Sequence, residues 1–100
     1  MAEKRKVTID ADLQEIIPSF LDNRKKDIVK LDEFLPAKQY SQIESIAHKL
    51  AGNAGSYGFD DLGQIGANLE AACQSLNEAE IANLCLAYKE YLENLEIEYK

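Results

Sequence analysis

The sequence predicts an all-α fold, an antiparallel four-helix bundle with a short leading N-terminal helical turn. Four stretches repeat apolar residues with the 3.6-residue period of an amphipathic helix. The connections between them are short, which favours antiparallel neighbours. Strand signals are weak, because the chain has no sustained two-residue alternation and no Asn-Gly or Asp-Gly turn between apolar runs.

The first helical region is predicted to begin near Asp10 or Asp12, since either side chain can cap it. Pro18 should interrupt it, which gives a short leading turn followed by a longer helix with proline in its first turn. Pro36 marks the end of that helix. The apolar positions of this region are Leu13, Ile16, Ile17, Phe20, Leu21, Ile28, Leu31 and Leu35.

The second helix is predicted over residues 37–57, with Gly58 placed to cap it in the left-handed conformation. The third runs from Asp60 or Asp61 to Asn77, and the fourth starts with the next residue. The three predicted core faces consist of Tyr40, Ile43, Ile46, Ala47, Leu50 and Ala54; of Leu62, Ile65, Gly66, Leu69, Cys73 and Leu76; and of Ile81, Leu84, Cys85, Tyr88, Leu92 and Leu95.

The pattern indicates a single bundle domain over residues 10–97, preceded by a flexible segment, residues 1–9. We expect the first six residues and the last few residues of the chain to be frayed. No run approaches the ~20 apolar residues of a membrane span, and no apolar stretch follows the first basic residues as in a secretory signal. The formal net charge of −7 argues against binding to nucleic acid or an anionic membrane. We therefore expect a cytoplasmic protein that binds neither.

The two cysteines, Cys73 and Cys85, both lie on apolar helical faces and form no Cys-x-x-Cys pair. Together with the single histidine they cannot complete a tetrahedral zinc site. We interpret them as small buried hydrophobic residues of a reducing compartment. We expect this chain to hold no metal ion and no cofactor.

The single histidine, His48, stands just before a region, residues 52–66, that contains all five glycines. With Ile43 as the centre of the core face, a rotation of 100° per residue places His48 at about 140°, on the outer side. This outer side also carries Ser41, Glu44, Ala51, Gly52 and Gly55. Because a helix-interior glycine costs about 1 kcal/mol relative to alanine, the bare surface indicates that something approaches the backbone closely. An ordinary surface histidine is the alternative interpretation.

An exposed imidazole on a rigid helix suits a nucleophile that reacts with another protein. Phosphoryl transfer depends mainly on in-line positioning and on charge stabilisation. The chain has no Walker loop, no glycine-rich nucleotide loop and no carboxylate pair convincingly placed for a metal ion. If His48 accepts a phosphoryl group, the donor protein must therefore bring the metal ion and the stabilising charges.

The segment from His48 to Phe59 strongly resembles the histidine-containing phosphotransfer (HPt) domains of bacterial multistep phosphorelays. Their motif is His-x-Leu-Lys-Gly, followed by a run of small residues and a glycine six places on. The matching residues are His48, Leu50, Gly52, Ala54 and Gly58, while Ala51 stands where many members have lysine. The resemblance covers about residues 10–95, including Leu13-x-x-Ile16-Ile17-Pro18-x-Phe20-Leu21, Phe59-x-x-Leu62 and the Leu69-Glu70 pair.

The resemblance implies that His48 accepts a phosphoryl group from an aspartyl phosphate on a response-regulator receiver domain and passes it to another receiver. The receiver of a hybrid histidine kinase is one candidate partner. Mg²⁺ would sit in the receiver, and this chain would be a monomer without kinase activity or bound ATP. The expected docking residues are Ser41, Glu44, Lys49, Ala51, Gly52 and Gly55, with Gly52 giving the receiver's active-site loops room to approach.

Two alternatives stay open at this point. The same bundle can bind a receiver or a kinase without phosphoryl transfer, and Ala51 is the residue that keeps this interpretation open. A homodimerising structural bundle would need an exposed apolar stripe, whereas the outward faces are mainly charged and polar.

Overall fold

The computed structural model describes residues 5–100, in which four α-helices form a helical bundle beside a two-stranded parallel sheet. The elements are β1 (Arg5–Ile9), a 3-10 turn (Ala11–Leu13), α1 (Ile17–Phe34), α2 (Tyr40–Asn53), a second 3-10 turn (Ala54–Tyr57), α3 (Asp60–Gln74), α4 (Glu78–Glu93) and β2 (Leu95–Tyr99). The predicted helical bundle is therefore confirmed, and the antiparallel direction of its helices stays a prediction.

The predicted helix starts have local causes that the structure makes visible. The Asp10 carboxylate accepts a hydrogen bond from the backbone N–H of Asp12 at 2.9 Å and caps the leading 3-10 turn. Pro18 lies in the first turn of α1, where its missing N–H costs no helical hydrogen bond. The side chain of Asn77 caps α4 by accepting from the backbone N–H of Glu80 at 3.3 Å.

The end of α2 differs from the prediction, because the α-helix stops at Asn53 and the next four residues tighten into a 3-10 turn. Gly58 ends this turn with a φ of +92°, a left-handed conformation that favours glycine. A Cβ at this position would also lie 2.7 Å from Cδ1 of Ile9 in β1. Both the backbone conformation and the contact with the strand therefore require glycine here.

The expectation that the chain forms no strands is wrong at both of its ends. Residues 5–9, expected to be flexible, pair in parallel with residues 95–99, expected to belong to α4 or to a frayed end. Ile9 is only 1% exposed and belongs to the hydrophobic core. The alternation of β2, Leu-Glu-Ile-Glu-Tyr, is five residues long, and its partner lies at the other end of the chain. Residues 1–4 of the predicted flexible segment lie outside the described residues.

Most of the predicted core residues are buried between the helices, as the helical periodicity indicates. The others are half-buried at the edge of the core, except Ile16 and Leu76, which are 46% and 65% exposed. Leu76 follows the end of α3 and has a φ of +55°, so the chain has already left the helix there. The buried residues that the core prediction omitted are Ile9, Phe59, Ala72 and Tyr91.

Cys73 and Cys85 are free and buried, as the apolar faces predict. Burial raises the pKa of each thiol to about 11. Because a thiol reacts as its thiolate, both side chains behave at neutral pH as small apolar residues of the core.

α2 and α3 approach each other closely at Gly66. A Cβ built at this position would lie 2.7 Å from the backbone nitrogen of Ala51 and 3.0 Å from the carbonyl oxygen of Ala47. Gly63 is less crowded, since its Cβ would lie 3.6 Å from the nearest backbone atom of Gly55. Gly52 has nothing within 4 Å of a Cβ. Gly66 is therefore a packing residue, whereas Gly52 faces open space.

We expect alanine to have opposite effects at these two glycines. Gly66→Ala should lower the free energy of unfolding by about 1–3 kcal/mol, because α2 and α3 must move apart. Gly52→Ala should raise it by up to about 1 kcal/mol, because alanine has the higher helix propensity and meets no neighbour. Thermal melts measure both effects, at about 4–8 °C per kcal/mol for a domain of this size. Equal midpoints for the two variants would contradict the close contact at Gly66.

Candidate functional site

His48 lies near the middle of α2 and its side chain is 74% exposed. Ile43, Ala47 and Leu50 of the same helix are at most 1% exposed, so they fix which side of α2 faces the core. The 100° rotation per residue then turns His48 outward. The imidazole is therefore exposed to solvent, while the opposite side of α2 packs against the core.

The histidine ring is held by a carboxylate from the next helix. Oε2 of Glu70, on α3, lies 2.6 Å from Nδ1 of His48. In the neutral imidazole one nitrogen donates and the other accepts, so a carboxylate at Nδ1 requires the proton to be there. Nε2 then carries the free lone pair, and it forms no hydrogen bond with any residue between 5 and 100.

Glu70 is the site residue that sequence reasoning missed. The sequence indicates a role for Glu70 only through the Leu69-Glu70 pair and does not connect it with His48. The two side chains are 22 residues apart and belong to different helices, so helical periodicity carries no information about their contact. The one available signal was that Glu70 is the only charged residue in α3 after its first turn.

A shallow depression surrounds the imidazole and is lined by Ser41, Glu44, Ser45, His48 and Glu70. Residues 41–48 of α2 form one wall, and α3 contributes the other through Glu70. Gln74 of α3 donates from Nε2 to Oε2 of Glu44 at 3.4 Å, which links the two walls. The depression is therefore polar, with a carboxylate on each of the two helices.

The residues predicted to dock a partner do not all share one environment. Ser41 and Gly52 are exposed on the side of His48, and Glu44 is half-buried there. Gly55, in the 3-10 turn, is also exposed, and a Cβ there would lie 3.6 Å from Oδ1 of Asp60.

Two predicted docking residues lie to the side of the depression. Ala51 is half-buried where α3 approaches α2. Lys49 is exposed but turned about 100° around α2 from His48, and it does not line the depression. The structure therefore brings Ser41, Glu44 and Gly52 around His48, and it leaves Lys49 at the edge. Gly58 acts as the cap of the 3-10 turn.

The arrangement suits nucleophilic chemistry. An imidazole with its proton held at Nδ1 presents the Nε2 lone pair to solvent, and neutral imidazole is a good nucleophile at neutral pH. Within residues 5–100 no three His, Cys, Asp or Glu side chains come together as a metal site. None of the helices in that range is both long and apolar enough to pass through a membrane.

Comparison with known proteins identifies the family. No curated protein matches the chain, and no solved structure does so either. The model of one family, described as the Hpt domain, matches residues 15–98. The matched region contains all four helices and both members of the His48–Glu70 pair. The chain belongs to the Hpt domain family.

Proposed function

We propose that His48 is the phosphorylated residue of a phosphocarrier, which accepts a phosphoryl group from a receiver-domain aspartyl phosphate and passes it to another receiver. The family gives the general activity, histidine phosphotransfer in phosphorelays that involve receiver domains of response regulators. His48 is the only histidine of the chain. The observation that carries the proposal is its exposed ring, with Nδ1 held by Glu70 at 2.6 Å.

The proposed reaction is an in-line displacement at phosphorus. The lone pair of His48 Nε2 forms the new P–N bond while the P–O bond to the receiver's aspartate breaks, which releases the aspartate carboxylate. The proton stays on Nδ1, so the phosphorylated ring becomes cationic. Glu70, 2.6 Å from Nδ1, offsets this charge. Reversal of the same step delivers the phosphoryl group to a second receiver.

The surface next to His48 supports a close protein partner. Gly52 lies one turn from His48 on the same side of α2 and leaves open space where a side chain would project. In-line transfer tolerates little displacement of the reacting atoms, so the receiver's loops need this room. We propose that Ser41, Glu44, Gly52 and Gly55 contact the receiver, and that Lys49 and Ala51 lie at the margin of the contact.

The proposed exchange of a phosphoryl group between receivers has consequences for ligands, location and oligomeric state. Hpt domains are carriers rather than kinases, so we propose that this chain binds no ATP and that Mg²⁺ is supplied by the receiver. A carrier must share a compartment with its receivers, which supports a cytoplasmic location. It must also keep its His48 side uncovered, which supports a monomer. The receiver of a hybrid histidine kinase is one candidate donor.

A binding module without phosphoryl transfer is the second candidate function. The observation in its favour is Ala51, an uncharged side chain one turn from His48 where many family members have lysine. The Glu70 contact argues against it, because simple binding has no use for a histidine whose tautomer is fixed and whose second nitrogen is free. Labelling of the chain separates the two functions.

We expect His48→Ala to fold and to lose all histidine phosphorylation. The side chain is 74% exposed, so the free energy of unfolding should change by less than about 1 kcal/mol. Phosphoramidate, a small P–N phosphate donor, should give acid-labile, base-stable phosphate on the wild type and none on the variant. If the variant still acquires such phosphate, another residue is the acceptor and the proposed role of His48 is wrong.

We expect Glu70→Ala to release the His48 tautomer and to slow labelling by phosphoramidate about tenfold, the value of one hydrogen bond to a charged group. Nitrogen-15 NMR should show the wild-type neutral ring protonated at Nδ1 and a tautomer mixture in the variant. Glu70→Gln is the matched control, since its amide oxygen still accepts from Nδ1–H but carries no charge. It should keep the tautomer and label at an intermediate rate. An unchanged tautomer in Glu70→Ala would contradict the positioning role.

We expect Gly52→Gln to discriminate between large and small phosphate donors. The variant should fold, because nothing lies within 4 Å of a Cβ at this position. Transfer of a phosphoryl group from a phosphorylated receiver to His48 of this variant should slow, because the added side chain displaces the docked receiver. Labelling by phosphoramidate should stay at the wild-type rate, and Gly52→Ala should be slowed less with the receiver. Equal slowing with both donors would place the defect in the chemistry of His48 and not in docking.

A further inference from the structure

We infer that the receiver surface that docks beside His48 is basic where it faces Glu44 and Glu70, and that this surface supplies the positive charge missing around the phosphorylation site. The inference rests on the proposed function, because it assumes that the partner is a phosphoryl-exchanging receiver. Beyond that function, it specifies the charge of the receiver surface that docks beside His48. The charges of α2 and α3, the two helices that form the site, support it.

These two helices are acidic around His48. Their carboxylates are Glu44, Asp60, Asp61 and Glu70, and their only cation is Lys49. Asp61 is neutralised by Arg5 of β1 at 2.7 Å. Glu44 and Glu70, which line the depression, form no ion pair with any lysine or arginine among the described residues.

No position next to His48 on its own helix carries a positive charge. Side chains three and four residues apart are neighbours on a helix, and at these positions the chain has Glu44, Ser45, Ala51 and Gly52. Lys49 is turned about 100° away, toward the side of α2 that α3 does not cover. The other described cations lie outside α2 and α3, and several are engaged, as in Lys6–Glu98, Arg24–Asp27 and Lys89–Asp32.

Phosphorylation would increase this local excess of negative charge. A phosphoryl group adds a charge of about −1.5 to −2 at neutral pH. It would share the depression with Glu44 and Glu70, and Gln74 and Ser45 offer only neutral polar groups nearby. The attraction between Glu70 and the cationic ring does not remove the repulsion between Glu44 and the phosphoryl oxygens. The compensating cations must therefore come from the docked partner.

The basic side chains of a partner can also reach the carboxylates of Glu44 and Glu70. The depression is shallow and open, and nothing lies within 4 Å of a Cβ at Gly52. Complementary charge around such a contact raises the association rate and rejects partners with the wrong charge. A receiver with an acidic rim would place like charges opposite Glu44. The His48 side of the bundle therefore selects receivers by charge as well as by shape.

The test measures transfer between this chain and a panel of purified receiver domains in both directions, using His48 phosphorylated by phosphoramidate and receivers phosphorylated on aspartate. In the fastest-exchanging pair, Glu44→Gln should slow the second-order rate about two- to fivefold, and Glu44→Lys should slow it further. Both directions should slow, because docking is common to both. A change in the stability of phosphohistidine alone would speed one direction and slow the other.

The matched control is Glu33→Lys, which makes the same change in net charge at an exposed position on α1. It should exchange at nearly the wild-type rate, and wild-type exchange should slow as ionic strength rises. Thermal melts establish that each variant is folded. If Glu44→Gln and Glu44→Lys exchange as fast as Glu33→Lys, the inference is overturned while the proposed function stands. If phosphoramidate labels His48 but no receiver exchanges with it, the proposed relay fails and the inference falls with it.

Discussion

The contact between Gly66 and the backbone of α2 is the constraint on which the site depends. A Cβ at Gly66 would lie 2.7 Å from the nitrogen of Ala51, so only the absence of a side chain permits this distance between α2 and α3. Glu70 lies one turn after Gly66 on α3, and His48 directly follows Ala47, the second residue that Gly66 contacts. The close approach therefore brings the Glu70 carboxylate to 2.6 Å from the imidazole.

The consequence for the chemistry is a division of roles between the two nitrogens of one ring. Glu70 occupies Nδ1, and the exposed position on α2 leaves Nε2 available to a partner. The small residues Ala51 and Gly52 follow His48 one turn along α2, and no large side chain projects there. Another protein can therefore reach Nε2. The bundle thus positions an exposed imidazole nitrogen, and the surface around it carries the carboxylates of Glu44 and Glu70.

The strand pair shows how the ends of the chain support this arrangement from outside the bundle. β1 pairs with β2, and Ile9 at the end of β1 packs against Gly58, which caps the turn after α2. Ile9, and Phe59, which follows Gly58 in the chain, are at most 1% exposed. The sheet therefore covers the part of the core next to the 3-10 turn that follows α2.

The sequence by itself determined the features that depend on one helix or one turn. Periodicity along a single helix identified the four helices and the outward direction of His48, because rotation per residue is a local property. The positive φ of Gly58 is likewise set within its own turn. Tertiary structure alone decided the rest: the pairing of strands from opposite ends of the described chain and the carboxylate of Glu70 at Nδ1. Each of these depends on distances between segments, and those distances follow from side-chain volumes packed across the core, which no pattern along the chain records.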